Sequence, residues 1–538
     1  MTQEAPEPKI SVITPVYDTD EAVLRECVAS VRAQSYGRWQ LCLVDDASPS
    51  AHVWPLLLEL ASTDPRILVR RRETNGGIVA ASNDAIAMSD GDVIALLDHD
   101  DMLHTAALRE VASVFVHEPE VDYVYSDEDI VDMAGRRGNP FYKPDWSPER
   151  FRNQMYTCHL SAIRRSVGEE VGWFRDGYDG SQDWDLVLRV TERARQVVHI
   201  PKVLYHWRTV PTSVLAGDDV KPYAYEAAKR AIEDHCNRLG IDAEVVELDR
   251  RGHFRVKRRV GGEPLVSIVI PTRGGSGVVW GRERVMLVDA VRSIAHRSSW
   301  EHFELVVVAD ADTPAEVLEE VAGIAGERLR VVPFDAPFDF SAKCNLGAAH
   351  ARGELLLFLN DDIEVITPDW LETLIGFAHE PDVGAVGCEL LFEDGRIQHV
   401  GHVLIGGNPG HLLFGRSDET LANRLAVCLD REVSGVTGAA LMCRAEVFDE
   451  VGGFSREFPG NYQDVDFCMK VRASGRRVVV TPHARLYHFE SMSRDPSVSS
   501  TELDRLRERW WTWTHRDPYY NPNHAPGLDG YPDPVTYP

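Results

Sequence analysis

Acidic side chains crowd together at two places in the chain, each directly after a short apolar run. Asp98-His99-Asp100-Asp101 follows VIALL, and Asn360-Asp361-Asp362 follows LLLFL. Carboxylates packed this closely repel one another unless a positive charge compensates them. Oxygen ligands select a hard cation such as Mg²⁺ or Mn²⁺, which also grips phosphate oxygens. A solvated acidic turn is the plainer reading of one such cluster, but recurrence after a second apolar run favours a site. A second pattern is Gln182-Asp183-Trp184-Asp185, answered by Gln463-Asp464-Val465-Asp466. Each opens a helix-period segment after a glycine-containing turn. Asp185 and Asp466 are placed to cap helix N-termini, whereas Asp183 and Asp464 are expected to face a cleft as general bases. A histidine completes each set: His206 follows Asp183 by 23 residues, and His488 follows Asp464 by 24. That near-constant spacing suggests a further metal ligand.

The elements that must position these residues come in two copies. KISVITPVYD reappears as LVSIVIPTRG, with Pro15 matching Pro271 at an offset of 256. Leu24, Cys27, Val28 and Val31 recur as Leu287, Ala290, Val291 and Ile294, the spacing of one buried helix face. LCLVDD pairs with LVVVAD, Asn83 with Asn345, and LYHWR with LYHFE. The offset is 262 at Asp100/Asp362 and 281 at Asp183/Asp464, so the second copy carries 19 additional residues between those points. They fall around HVGHVLIGGNPGHLLFGR, where His399, His402 and His411 admit acceptor contacts, plain loop structure or a second metal site. Within each copy, Val/Ile/Leu runs alternate with helix-period segments, which predicts α/β domains with a mostly parallel sheet flanked by helices. Ligands of such sheets bind at the carboxyl ends of the strands, where TPVYD, VDDAS and LLDHDD lie. The reading divides the chain into a first domain over 8–240, a basic linker over 241–263, a second domain over 264–500 and an aromatic tail over 501–538. A strand followed by a solvated linker, and a tail packed on the second domain, are expected; membrane contact is the alternative for both.

Composition narrows the function class. The chain has 538 residues, 44% apolar and 26% charged, ordinary for a globular protein of two domains. A formal net charge of −28 argues against nucleic acid as partner. It also means that a phosphorylated ligand needs a divalent cation between itself and an acidic pocket. Nine cysteines without a CxxC pair suit reduced, buried thiols. No apolar run reaches the ~20 residues that span a bilayer, and the N-terminus lacks a signal-peptide core, so a cytoplasmic protein, at most peripheral to the membrane, is expected.

Taken with SDEDIVD, FYKPDWSPER, FDFSAKCNLG, VGAVGCELLFEDGRIQHVG and DPYYNP, these motifs resemble the family-2 glycosyltransferases of GT-A fold, in particular tandem-domain bacterial members of O-antigen and cell-wall polysaccharide assembly. The resemblance implies a nucleoside-diphosphate-sugar donor, a glycan or polyprenyl-linked glycan acceptor, a Mn²⁺ or Mg²⁺ cofactor and an inverting displacement. It assigns Asp98, Asp100 and His206 to the metal in copy one, and Asp362 and His488 in copy two. Pro15, Tyr17, Asp45, Asp46 and Asp98 fall to the nucleotide sugar in copy one, Asp310 and Asp361 in copy two. Asp183 and Asp464 are the implied catalytic bases. Copy two departs from the pattern at Ala309, where copy one has Asp45, and at Asn360, where copy one has Asp98. Three rivals remain. A sugar nucleotidyltransferase would carry a Gly-rich basic loop after the first strand, where PVYDTDE stands; PTRGGSG in copy two is its only support. A non-enzymatic glycan binder does not require the complete acidic set of copy one. The third is a chain with one catalytic copy and one acceptor-binding or structural copy.

Overall fold

The computed structural model describes residues 7–209, 222–417, 428–489 and 499–524; the first six residues and the end of the expected tail, 525–538, lie outside them. The two copies repeat one sheet order. In copy one the strands run Ile67–Arg71, Trp39–Asp45, Ile10–Val16, Val93–Leu96, Ser161–Arg164, Val121–Val131, Gln196–Arg208 and Met102–Leu103 across the sheet. In copy two the same order is Leu329–Phe334, Phe303–Asp310, Val266–Thr272, Leu355–Leu359, Ala440–Arg444, Val383–Leu391, Arg477–His488 and Ile363–Val365. The first four strands of each are mutually parallel; all but the half-exposed edge strands Ile67–Arg71 and Leu329–Phe334 are buried almost throughout, as strands covered on both faces are.

Helices cover both faces of each sheet, giving two apolar layers per copy. Leu24, Cys27, Val28 and Val31 on the helix Glu21–Arg32 are fully buried, and so are Leu287, Ala290, Val291 and Ile294 on Met286–Arg297. Asp20 caps the first of these helices by accepting from the N–H groups of Ala22 and Val23. The paired asparagines do the same work in each copy. Asn83 exchanges two hydrogen bonds with the backbone of Phe174, and Asn345 with that of Phe454. All nine cysteines are free thiols, and no helix of the described residues is long and apolar enough to cross a membrane.

The joint between the copies holds more than the one strand expected before its solvated end. Residues 241–263 contain an antiparallel hairpin, Ala243–Glu247 with Phe254–Arg258. Its apolar face, Val245, Phe254 and Val256, fills the core of copy one, while Arg258 lies over the Phe377 ring of copy two, 4.0 Å from its centroid. Arg258 also bonds Glu149 of copy one at 2.6 Å and Glu380 of copy two at 2.8 Å. Glu149 is fully buried and pairs further with Arg152, and Arg477 lies 3.7 Å away. Glu432 of copy two accepts from the N–H of Glu149 at 3.1 Å and pairs with Arg477 at 2.8 Å. The tail adds a second bond between the copies. Asp517 accepts from Ser434 and from the N–H of Leu404 in copy two, and Asn521 donates to Asp127 and to the carbonyl of Lys143 in copy one. Trp510 and Trp513 pack on copy two, Trp510 donating to Asp466 at 2.9 Å. Neither Asp466 nor Asp185 acts as a helix cap. Asp185 is buried between Arg175 and Arg189, and Asp466 is held by Arg509 and Trp510.

Burial alone would raise the carboxyl of Glu149, but the guanidiniums of Arg258 and Arg152 outweigh it and hold the group well below its ordinary 4.5. A depressed folded-state value contributes stability above the unfolded value and loses it as pH falls. Glu149→Ala, which leaves buried arginines uncompensated, is expected to cost about 3–5 kcal/mol in chemical denaturation at pH 7. That cost should shrink below about pH 4.5, where the unfolded carboxyl takes up its proton.

Candidate active site

Copy two carries a cavity of about 550 Å³ at the carboxyl ends of its parallel strands, a size suited to a small-molecule ligand. Asn360, Asp361 and Asp362 enter it from the turn after Leu355–Leu359, and Asp310 from the end of Phe303–Asp310. Lys343, on the helix Phe340–His350, is nearly buried and bonds Asp310 and the carbonyl of Thr272, both at 2.8 Å. Thr272 Oγ1 donates to Asp361 Oδ2 at 2.5 Å. Burial, then the charge of Asp362, pushes Asp361 up to about 6.

His488 meets Asp362 in this cavity, Nε2 to Oδ1 at 3.1 Å. Gln398 fixes the ring. Its amide nitrogen donates to the His488 carbonyl, which turns its oxygen toward Nδ1 at 2.5 Å. Nδ1 therefore carries the hydrogen. Nε2 faces the carboxylate and lies 3.0 Å from Asn360 Nδ2, so it accepts from that amide, holds a second proton against Asp362 or, with the amide turned away, offers its lone pair to a cation shared with Asp362. Burial works to raise Asp362, but His488 outweighs it and holds the carboxyl below its usual range. A hard divalent ion fits this donor set. Oxygen and imidazole ligands converge, a second residue orients the imidazole, and the buried Asp362 Oδ1 accepts no well-directed hydrogen bond.

Asp464 stands in the first turn of Gln463–Ala473 and also lines the cavity. Its two oxygens accept from the N–H groups of Gly438 and Val465, both at 2.8 Å, and His402 Nε2 lies 3.8 Å from Oδ2. Burial opposes its charge, yet His402 and the two N–H groups hold it well below the carboxylate range. It remains ionised throughout the neutral range.

Copy one assembles its acidic residues differently. Asp98, Asp101 and His159 bring ligand atoms within 4.8 Å of one another. His159 Nε2 is 3.9 Å from Asp98, and Nδ1 is 3.3 Å from Glu128. Burial opposes a charge on His159, but Cys158 and Glu128 hold the imidazole well above its ordinary value. An imidazole held toward its charged form thus stands beside Asp98. The fully buried Lys143 pairs with Glu128 at 3.1 Å. Asp183 lies in the first turn of Gln182–Thr191, and burial raises its carboxyl, with His159 opposing the rise. Burial also raises Asp100, opposed by His99 and reinforced by Asp98. Asp45 and Asp46 are turned inward. Asp45 accepts from the Ser48 N–H and faces Arg71, while Asp46 holds Arg72 and the N–H groups of Gly76 and Gly77. Pro15 pairs with Val44, one residue before Asp45, and Tyr17 is half exposed.

His206 does not join Asp98 and Asp100, which corrects the expected ligand set. Its Nδ1 bonds Asp129 at 2.6 Å and its Nε2 bonds Arg137 at 3.0 Å. The reason is register. Val93 and Leu355 stand opposite Ile10 and Val266, so the two acidic turns start in equivalent places. Met102 then pairs with His206, but Ile363, one step earlier in the matched sequence, pairs with His488. One extra residue in the turn of copy one puts the histidine on the other face of its strand. Tyr205 and Trp207 face the site instead, their rings 4.6 and 5.6 Å from that of His159. His159, Lys343 and Gln398 escaped the sequence reading. Lys343 in FSAKCNLG and Gln398 in GRIQHVG sit inside motifs that carry the resemblance, whereas no spacing rule points to His159.

A profile of the family described as glycosyl transferase family 2 matches residues 11–172 and 267–452. The O-antigen biosynthesis protein RfbC of Myxococcus xanthus is 37% identical over 522 residues, 96% of this chain and 40% of its own length. The uncharacterized protein y4gI of Sinorhizobium fredii is 42% identical over 534 residues, 96% of this chain and 58% of its own. The chain therefore spans about half the length of these relatives. Among solved structures, S. aureus TarS 1–349 in complex with UDP-GlcNAc aligns at 20% identity and a TM-score of 0.35, over 42% of this chain and 66% of that one. With the profile falling on both repeats of the sheet and on the acidic turns at their edges, the chain belongs to glycosyl transferase family 2 and is a glycosyltransferase with two GT-A-like domains.

Proposed function

We propose that copy two is the principal catalytic domain and transfers a glycosyl residue from a nucleoside-diphosphate sugar to a glycan acceptor by a single inverting displacement. The observation that carries this reading is the convergence of Asp310, Lys343, Asp361, Asp362, His488 and Asp464 on one cavity. Asp362 and His488, with Asp361 behind them, would hold a divalent ion. Such an ion, Mn²⁺ or Mg²⁺, neutralises the charge that develops on a diphosphate leaving group. Lys343 and Asp310 mark the nucleotide end of the cavity, where the strand ends and the helix Phe340–His350 begins. Asp464 marks the acceptor end. The acceptor hydroxyl attacks the anomeric carbon, the bond to the diphosphate breaks with its electron pair, and the hydroxyl proton passes to Asp464. Because Asp464 is a weakened base, the transfer is completed late, once attack has acidified the hydroxyl. The acceptor is read as a polysaccharide precursor, soluble or polyprenyl-linked, met at the cytoplasmic side of a membrane. Copy one then serves acceptor binding or support, since His159 supplies the charge that an ion would otherwise bring.

Two experiments test this assignment. Asp464→Asn should lower turnover of the donor by ~10²–10⁴-fold while the thermal shift given by nucleoside diphosphate plus Mn²⁺ stays at the wild-type value. Unchanged turnover would place the base elsewhere. Asp362→Ala is expected to abolish both turnover and the Mn²⁺-dependent part of that shift, which reports ligand binding by mass action, whereas Asp100→Ala should retain most activity. Equal losses in the two variants would mean that both copies are catalytic.

A further inference from the structure

The hairpin His402–Ile405 with Asn408–His411, carried by the additional residues of copy two, and the strand Ile397–His399 before it bring three histidines to the acceptor end of the cavity. His399, His402 and His411 have ring centroids 4.7–4.9 Å apart, and one nitrogen of each lies within 4.8 Å of the others. Such a trio is a common metal set, but the hydrogen bonds oppose that use here. The N–H of Thr437 donates to His399 Nε2 at 3.1 Å, so the ring's hydrogen sits on Nδ1. His399 Nδ1 is 2.8 Å from His411 Nδ1, which must accept it. Two inward nitrogens are thus spent on each other, and His411 keeps its hydrogen on Nε2. Burial, reinforced by the neighbouring histidines, keeps both rings neutral, His411 at about 3.

His402 differs. Its Nδ1 faces the carbonyl of Gly410 at 3.3 Å and so carries a hydrogen. Its Nε2 has no hydrogen-bond partner although the residue is only 5% exposed, and it lies 3.8 Å from Asp464 Oδ2, too far for a direct bond. A buried polar atom without a partner, aimed beside the proposed base, calls for a ligand group.

Resting on the assignment of Asp464 as base, we infer that the trio forms the acceptor subsite for a sugar with two neighbouring hydroxyls. The attacking hydroxyl donates to Asp464 Oδ2, and the hydroxyl on the adjacent ring carbon bonds His402 Nε2. A hydroxyl both donates and accepts, so it satisfies that nitrogen in either protonation state. The N–H of His411 Nε2 supplies a further donor to the cavity. The exposed ring of Phe414, tilted against His411 with centroids 5.8 Å apart, offers an apolar face for the sugar ring at the rim. His402 is accordingly a specificity-determining residue. The class recognised is a pyranose acceptor whose attacking hydroxyl has a free neighbour.

Nitrogen-resolved NMR of the full chain with ¹⁵N-labelled histidine tests this directly. Neutral His399 with hydrogen on Nδ1 and neutral His411 with hydrogen on Nε2 are expected, unchanged by one equivalent of Zn²⁺. Methyl hexopyranosides supplied as probes should shift His402 Nε2, and the monodeoxy analogue lacking the neighbouring hydroxyl should not. His402→Phe is expected to weaken the best probe at least tenfold, with the nucleoside diphosphate–Mn²⁺ thermal shift intact, and His402→Gln to recover most of the affinity. Joint Zn²⁺-induced shifts of all three rings would establish a metal site and overturn the inference, as would a probe panel that leaves His402 Nε2 unmoved. Carrying the titration through in Asp464→Asn separates the two claims. Sugar-dependent shifts together with undiminished turnover in that variant would remove Asp464 as base and leave the subsite standing.

Discussion

Negative charge buried at the carboxyl edge of a parallel sheet is tolerable only where an N–H, a cation or a proton faces it. The chain places carboxylates at that edge in both copies, and most of what surrounds them is compensation. Asp46 holds two glycine N–H groups and a guanidinium, Asp310 holds Lys343, and Asp464 holds two N–H groups beside an imidazole. What is left over after this compensation marks the site. Asp361 and Asp362 crowd each other in one cavity, and His488 is the only imidazole bonded to either among the described residues.

The same constraint explains how two copies of one fold diverge. In copy one His159 stands 3.9 Å from Asp98 with its imidazole held toward the charged form by Cys158 and Glu128, and Lys143 pairs with Glu128. In copy two the matching edge keeps the His488 imidazole and the Asp362 carboxylate face to face, 3.1 Å apart, with no lysine between them. One residue in the length of a turn separates these outcomes, because strand alternation turns that residue into a change of face. The additional residues of copy two then build the wall of histidines over Asp464 that copy one lacks.

The copies are held as one body by the opposite use of charge. Glu149 and Glu432 are buried with Arg152, Arg258 and Arg477 across the joint, a network in which every carboxylate has its guanidinium. The hairpin over the linker and the segment around Asn521 each contact both copies. Part of what looks like a basic connector and an aromatic tail is thus structural: Arg258 turns inward, while Lys257, Arg259 and Arg516 stay exposed.

Much of this was legible in the sequence. Duplication, the alternation of apolar runs with helical segments, the acidic turns after the fourth strands, and the aspartates opening the later helices all follow from local pattern. Local pattern records which residues share a face of one element. The choice of partner was not legible, because it depends on how elements far apart in the chain are registered against each other. That is why His488 reaches Asp362 while His206 turns to Asp129 and Arg137, why His159 enters copy one without any spacing to announce it, and why Arg258 of the basic joint is buried. The chain alone determined two α/β copies with carboxylates at the edges of their sheets. Only the tertiary structure decided which imidazole or guanidinium each carboxylate meets, since a register difference of one residue moves a side chain from one face of a sheet to the other.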